Sequence, residues 1–322
     1  MTQSVSVVIP AYNRVRTIRR AIVSVLTQTI AAEIIVVDDC STDGTPEAVE
    51  GFMSDSIRLV RHTERLGASA ARNTGVLHAE SDRIAFLDSD DEWMSDYLAA
   101  QTRTLEAVDA SVTGFRVLGP GRRRRDGVPR GLDVDGLSAI LRNRHGELTS
   151  SCIAVRRSVF DTGVRFDVSL PSLQDLDFVA QVVGCGAIAI NRNVLVRKYT
   201  GSTDRVFSGR NVYLGRERFM EKWETQIQQL DGAWSRQLRL LLLAAQSTGT
   251  EADVEQALSR LKTQNRQEWS LTNTAAIASS ALAPRIRRAT GRLINAAENA
   301  TFDGVRTRVV DIAASFPDVR HH

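Results

Sequence analysis

Only three cysteines, Cys40, Cys152 and Cys185, occur in 322 residues. They are far apart, with no CxxC pair and no Cys/His cluster. Neither a zinc site nor a disulfide framework is indicated, and a reducing compartment is the simpler setting. Lysine is equally scarce, limited to Lys198, Lys222 and Lys262. The positive charge is therefore almost all arginine, which grips phosphate bidentately, although a GC-rich coding sequence would give the same bias. No apolar run approaches the roughly 18 residues of a membrane-spanning helix; the best, residues 240–245, is LLLLAA. The N-terminus lacks the basic-then-apolar pattern of a secretory leader, so the expected location is cytoplasmic. GxGxxG and GxxxxGK[ST] are both absent, which leaves a dinucleotide-binding Rossmann site and a P-loop unsupported. Lys+Arg 41 against Asp+Glu 38 gives +3, too little for a dedicated nucleic-acid binder.

What is present is ordinary globular composition, 43% hydrophobic and 25% charged. The length suits one large domain or two smaller ones. Residues 5–9, 33–37, 57–60 and 83–87 are apolar, β-branched-rich runs that predict strands. Between and after them, residues 18–26, 45–53, 68–79 and 95–108 carry helical spacing. Continuous apolar strands joined by helical crossovers predict an α/β fold with a parallel sheet covered on both faces. Ligands of such sheets bind at the carboxyl ends of the strands. Beyond residue 110 the pattern is mixed. A loop is expected over 119–131, which contains four consecutive arginines from Arg122. Strands are expected at 151–155, 187–190 and 194–199, short helices at 157–161 and 175–183, and a mobile loop at 200–210. From residue 211 the chain reads as helical, with breaks near 247–250, 263–267 and 283–284.

The polar clusters follow the predicted strands. Asp88-Ser89-Asp90-Asp91 comes directly after the fourth. Carboxylates so close repel one another unless a proton or cation relieves them, and a hard ion such as Mn²⁺ or Mg²⁺ takes oxygen ligands and bridges to diphosphate. The competing reading is a solvated turn with Asp91 near a helix N-cap. Residues 38–45, DDCSTDGT, form a second polar turn. Asp39 there suits a base N–H, while Asp43 or Thr45 suits the helix cap. Pro10, Ala11, Tyr12 and Asn13 follow the first strand; Tyr12 offers a face to a base or packs on the sheet edge. Arg72, on a helix of small residues, reaches a base or phosphate or lies on the surface.

Together these blocks resemble the family 2 glycosyltransferases of the A-type nucleotide-diphospho-sugar fold. The resemblance is carried by SVVIPAYNR at residues 6–14, EIIVVDDCSTDGT at 33–45, LGASAARNTG at 66–75 and RIAFLDSDDEW at 83–93, with weaker similarity to about residue 200. It implies a catalytic domain over 1–210, divided into a nucleotide-sugar half, 1–109, and an acceptor half, 110–210, with a helical region over 211–322. It implies that Pro10, Ala11 and Tyr12 line the base, that Asp39 accepts its N–H, and that Arg72 holds the nucleotide. Asp88, Ser89 and Asp90 form the Asp-x-Asp motif on donor and metal. Asp90 is then the direct ligand of Mn²⁺ or Mg²⁺, and Asp88 lies nearer the ribose and metal shell. Asp175 matches the catalytic base, with Asp177 as fallback, and Gln174 stands where the family has Glu. The implied reaction is inverting transfer of a sugar, hexosyl or N-acetylhexosaminyl, from a UDP-sugar or a dTDP-sugar to a glycan, lipid-linked or protein hydroxyl. Arg197, Lys198, Tyr199, Arg205 and Arg210 fall where the family has a loop over the donor. The basic helices around Arg285, Arg287 and Arg288 would pack on the catalytic domain or a second copy, or lie on the inner membrane face. The rival readings are a nucleotide-sugar binder without catalysis, permitted by Gln174, and a polyanion or membrane module using Arg122–Arg125.

Overall fold

The computed structural model describes residues 5–119, 124–200 and 209–264. Strands β1 (Ser6–Ala11), β2 (Glu33–Asp38), β3 (Ile57–Arg61) and β4 (Arg83–Phe86) lie in the parallel order β3-β2-β1-β4. Helices α1 (Ile18–Leu26), α2 (Thr45–Glu50) and α3 (Ala68–His78) form the crossovers. Val7, Val8, Ile9, Ile34, Ile35, Val36 and Val37 are all fully buried, which is why these strands read as continuous apolar runs rather than alternating ones. Gly75 lets α3 lie close on β1, because a Cβ there would stand 2.3 Å from Cγ1 of Val8.

Pro10 was expected to end the first strand, yet β1 runs through it to Ala11. The physical reason is the ladder geometry. Val8 faces β4, accepting the Leu87 N–H at 3.0 Å, so Pro10, two residues on, faces the same side. β1 pairs with β4 only from Ser6 to Val8, so the N–H that proline lacks would have had no partner.

After β5 (Glu92–Trp93) and α4 (Tyr97–Thr104), the chain adds β6 (Ala110–Leu118), β7 (Arg125–Gly127), α5 (Gly136–Leu141), a 3₁₀ turn at Ser150–Cys152, β8 (Ile153–Arg156) and α6 (Ser158–Asp161). Then come α7 (Gln174–Cys185) and β9 (Ile188–Tyr199). The sheet continues past β4 in the order β8-β6-β9-β5, with β7 on β6. β8 is antiparallel to both β4 and β6, and β9 is parallel to β6. Thus β6 and β9 run the same way as β1–β4. Their carboxyl ends, and the segment entering β8, share one edge.

Three expectations are corrected here. Residues 110–118, where the sequence pattern is mixed and no element is expected, form the long strand β6; Ser111 and Thr113 are fully buried in it and break its apolar signature. The two strands expected at 187–190 and 194–199 are one strand, irregular where its register slips around Gly114. The loop expected at 119–131 holds β7, where Arg125 of the arginine run pairs with Glu147. Arg122 and Arg123, the donor-loop residue Arg205 and the basic helices around Arg285 lie outside the described residues.

Helices α8 (Asn211–Lys222), α9 (Glu224–Gln229), α10 (Ala233–Thr248) and α11 (Glu251–Gln264) follow, with the expected break after Thr248. The chain divides into two compact units that part between Leu240 and Leu241, so α8 and α9 belong to the first. No helix among the described residues is long and apolar enough to cross a membrane.

Candidate active site

The acidic loop leaves β4 at the shared edge. Asp91 is buried, so the solvated-turn reading fails for it. Its carboxylate accepts the Ser151 hydroxyl at 2.7 Å, and Ser151 in turn accepts the Asp88 N–H at 3.1 Å. Trp93 donates its indole N–H to the Ser151 carbonyl at 2.8 Å. The 3₁₀ turn before β8 therefore clamps the loop from below. Arg20 donates to the Asp90 carbonyl at 2.5 Å and lies 3.6 Å over the Tyr199 ring, which ties the loop to the end of β9. Ser89 is buried within the turn.

Lys198 enters this cluster from β9. Its ammonium donates to Thr149 Oγ1 at 2.8 Å and lies 3.8 Å from Asp91. Asp88, Asp90, Asp91 and Asp175 all act on its charge and hold its pKa above the usual lysine value despite burial. The carboxylates diverge in response. Burial pushes Asp88 up, but Arg72, Lys198 and Arg14 outweigh it and hold the group below the usual carboxylate range. Burial and the neighbouring Asp88 raise Asp90. Burial carries Asp91 up to about 7.

Arg72 is not a surface arginine. It is buried, donates to Asp88 at 2.5 Å, and lies 5.2 Å over the Phe166 ring. The adjacent Asn73 exchanges two hydrogen bonds with the Phe166 backbone, at 2.8 and 3.0 Å. Phe166 stacks on Phe178 of α7 at 4.1 Å. Successive residues of α3 thus hold the acidic loop and the segment leading into α7.

Asp175 lies in the first turn of α7, just after Leu173, whose φ of 64° is left-handed. Such a conformation costs a non-glycine residue about 1–2 kcal/mol and is maintained by its surroundings. One Asp175 oxygen accepts the Leu176 N–H at 2.8 Å. Burial raises its pKa against the pull of Lys198. Gln174 turns its amide N–H to the Leu170 carbonyl at 3.0 Å, a bond that a carboxylate could not donate. Asp177 is fully buried and accepts from Lys222, Trp223 and Gln181 at 2.7–2.9 Å. Full burial and these three bonds give it the part of a structural anchor between α7 and the chain after it.

At the other end of the edge, the turns after β1 and β2 are zipped together. Asn13 donates its N–H to Ser41, Thr42 donates to Asn13, and Arg14 donates its N–H to Thr45, at 2.7–2.9 Å. Asp43 accepts the Thr45 N–H and hydroxyl, but the N-cap position of α2 is Gly44, without a side-chain cap bond, so neither Asp43 nor Thr45 is the cap expected from the sequence. Pro10 and Ala11 are buried in β1 and Tyr12 is half-buried beyond them. Asp39 sits beside them, its N–H bonded to the Ala11 carbonyl at 2.8 Å. Its carboxylate accepts His62 Nδ1 at 2.8 Å, the Leu66 N–H at 2.8 Å and the Gly67 N–H at 2.7 Å. Arg65 from the same segment lies 4.1 Å over the Tyr12 ring. Arg14, whose charge acts on Asp88 and Asp90, stands between this corner and the acidic cluster.

No group of three or more His, Cys, Asp or Glu among the described residues is placed to hold a metal by itself. The donor set of Asp88 and Asp90 nevertheless fits a hard divalent ion that also takes diphosphate oxygens. Burial raises Asp90 first and repulsion from Asp88 adds to it, and that repulsion is what such an ion would relieve. Sequence reasoning missed His62, Arg65, Thr149 and Ser151 as parts of the site, and read Lys198 in a strand at 194–199 that leads into a loop over the donor. No motif spacing marks them, and only the folded sheet brings them to this edge.

The chain matches the model of "Glycosyl transferase family 2" over residues 6–163. It is 38% identical over 128 residues to the "Putative teichuronic acid biosynthesis glycosyltransferase TuaG" of Bacillus subtilis, covering 39% of this chain and 50% of that one. It is 30% identical over 202 residues to the "UDP-Glc:alpha-D-GlcNAc-diphosphoundecaprenol beta-1,3-glucosyltransferase WfaP" of Escherichia coli, covering 61% of this chain and 76% of that one. Against two further curated relatives it spans 63% and 39% of their lengths. The mannosyltransferase PcManGT from Pyrobaculum calidifontis, solved with GDP-Man and Mn²⁺, shares the fold with a TM-score of 0.58 at 20% identity, over 89% of this chain and 83% of that one. With the four sequence blocks gathered on one edge of this sheet and a relative matched over three-quarters of its length, the chain belongs to glycosyl transferase family 2.

Proposed function

We propose that this chain transfers a sugar from a nucleotide-diphosphate donor to an acceptor hydroxyl in polysaccharide or glycoconjugate synthesis, with a divalent cation and inversion at the anomeric carbon. The observation that carries the reading is the convergence of Asp88, Asp90 and Asp175 around Lys198 at one sheet edge, with Arg72 between them. A UDP-sugar is the favoured donor, since Asp39 beside Tyr12 suits a uracil N–H. WfaP, named for transfer from UDP-Glc to a lipid-linked acceptor, supports both ends of that reading.

Asp88 and Asp90 would hold Mn²⁺ or Mg²⁺, which when bound supplies positive charge to the departing diphosphate. Buried Arg72 and partly buried Lys198 add cations already held in place, which limits reorganisation during the reaction. An acceptor hydroxyl is a poor nucleophile near neutral pH, and Asp175 takes its proton as it attacks. A single positioned base, with no covalent sugar–protein intermediate, gives one displacement and hence inversion. A cytoplasmic setting, peripheral on the inner membrane face, belongs to the same reading. Thermal-shift screening of nucleotide sugars with Mn²⁺ and with chelator, followed by nucleotide-release measurements on the stabilising donor, tests it. Stabilisation by UDP-sugars only when Mn²⁺ is present is expected; indifference to every nucleotide sugar would refute it.

A further inference from the structure

His62 follows β3 directly and bonds to Asp39, the residue read as the base contact. Its two ring nitrogens are both engaged: Nδ1 lies 2.8 Å from Asp39 Oδ1, and Nε2 lies 2.9 Å from Thr74 Oγ1. A carboxylate accepts and cannot donate, so Nδ1 carries the proton, and Nε2 pairs with the Thr74 hydroxyl. The side chain is 8% exposed, so this relay is shielded from water. It runs from α3 through His62 to Asp39, in the turn after β2.

The relay uses up acceptor capacity. A carboxylate offers about four lone-pair positions, two on each oxygen. Oδ1 takes two bonds, from His62 and the Leu66 N–H. Oδ2 takes one, from the Gly67 N–H. One position on Oδ2 remains. Bases differ in what they ask of it. Uracil and thymine present a single N–H between two carbonyls. Guanine presents two adjacent donors, its ring N–H and its amino group, and pairs with a carboxylate through both oxygens.

Resting on the reading of this site as a nucleotide-sugar site, we propose that His62 is a positioning residue that sets base specificity. By occupying Oδ1, it leaves Asp39 able to satisfy a uracil or thymine N–H and unable to satisfy both guanine donors. A buried donor left without a partner weakens binding by about tenfold to a hundredfold.

The test is calorimetric titration with UDP, dTDP and GDP at fixed Mn²⁺, on the wild type and on His62→Ala, His62→Asn and Thr74→Val. In the wild type, UDP and dTDP bind alike and GDP at least about tenfold more weakly. His62→Ala frees Oδ1 and narrows the UDP-to-GDP ratio, whereas a merely structural loss would weaken all three nucleotides together. His62→Asn restores a donor near the Nδ1 position and with it the ratio. Thr74→Val releases the far end of the relay and narrows the ratio even if His62→Ala fails to fold. GDP binding as tightly as UDP, or a ratio unmoved in folded variants, overturns the proposal and leaves the glycosyltransferase reading standing. Failure of all three nucleotides to bind overturns that reading and the proposal with it.

Discussion

Asp175 and Asp177 are two residues apart on the first turn of α7, and their surroundings separate their roles. Both oxygens of Asp177 are hydrogen-bonded, to Lys222, Trp223 and Gln181, whereas Asp175 spends one oxygen on the Leu176 N–H. Asp175→Asn is expected to leave the fold intact and lower turnover by about 10²–10⁴-fold, the usual share of a general base. Circular dichroism and nucleotide release check this together. Because burial raises the Asp175 pKa, the acid limb of the wild-type rate profile lies above the ordinary carboxylate value, and the rate rises with pH as the group ionises.

His145 supplies a second effect at this scale. Burial, then the nearby Arg216 charge, lower its pKa from 6.5 to about 4. Between those values the unfolded chain binds more protons than the folded one, so this group's contribution is complete above pH 6.5 and is lost as pH falls towards 4. The full loss is about 3 kcal/mol. Asp91, raised from 3.8 to about 7, acts in the opposite sense, with stability lost as pH rises through that range. The wild-type slope therefore mixes the two. Denaturant melts of wild type and His145→Gln at several pH values isolate the histidine: the variant's stability relative to wild type is expected to improve steadily from pH 7 to pH 4.

At the scale of elements, α8 is held to α7 by a buried charge. Lys222 bridges Asp177 and Asp167, both at 2.8 Å, and Trp223 adds a bond to Asp177 at 2.9 Å. Lys222 is one-third exposed and keeps Asp167, so removing Asp177 costs chiefly the buried partners left unpaired, about 1–3 kcal/mol. Asp177→Ala is expected to lower the unfolding free energy by that order, while nucleotide affinity per folded molecule stays unchanged. Loss of turnover at full stability would instead return Asp177 to the chemistry. The same scale explains what was readable in the chain. The crossovers through α3 were legible because each element carries one clear period over buried strands. β6 was not, because its buried Ser111 and Thr113 remove the apolar run, and β5 is only two residues long.

Across the molecule, the active edge depends on strand direction. The antiparallel β8 reverses the chain, so Thr149 and Ser151, which precede it, meet the residues that follow β4 and those near the end of β9. The resulting site sets four carboxylates, Asp88, Asp90, Asp91 and Asp175, against Arg14, Arg20, Arg72 and Lys198, and added diphosphate tips that balance to net negative charge. Chelation is therefore expected to abolish transfer, Mn²⁺ or Mg²⁺ to restore it, and Asp90→Ala to lose the restoration while folding normally. Transfer undiminished by chelator would separate the reaction from the ion.

The sequence by itself determined the four parallel strands, the helices between them and the acidic and polar turns at their ends, because periodicity and turn chemistry are local properties. It also singled out Asp39, Arg72, Asp88, Asp90 and Asp175. Tertiary structure alone decided that Lys198 stands among the carboxylates, that Arg72 is buried against Asp88, that Asp177 is an anchor, and that His62 backs Asp39. Each of these depends on residues tens of positions apart meeting where strands converge. Their burial and lost hydration, rather than their spacing along the chain, set what each side chain does.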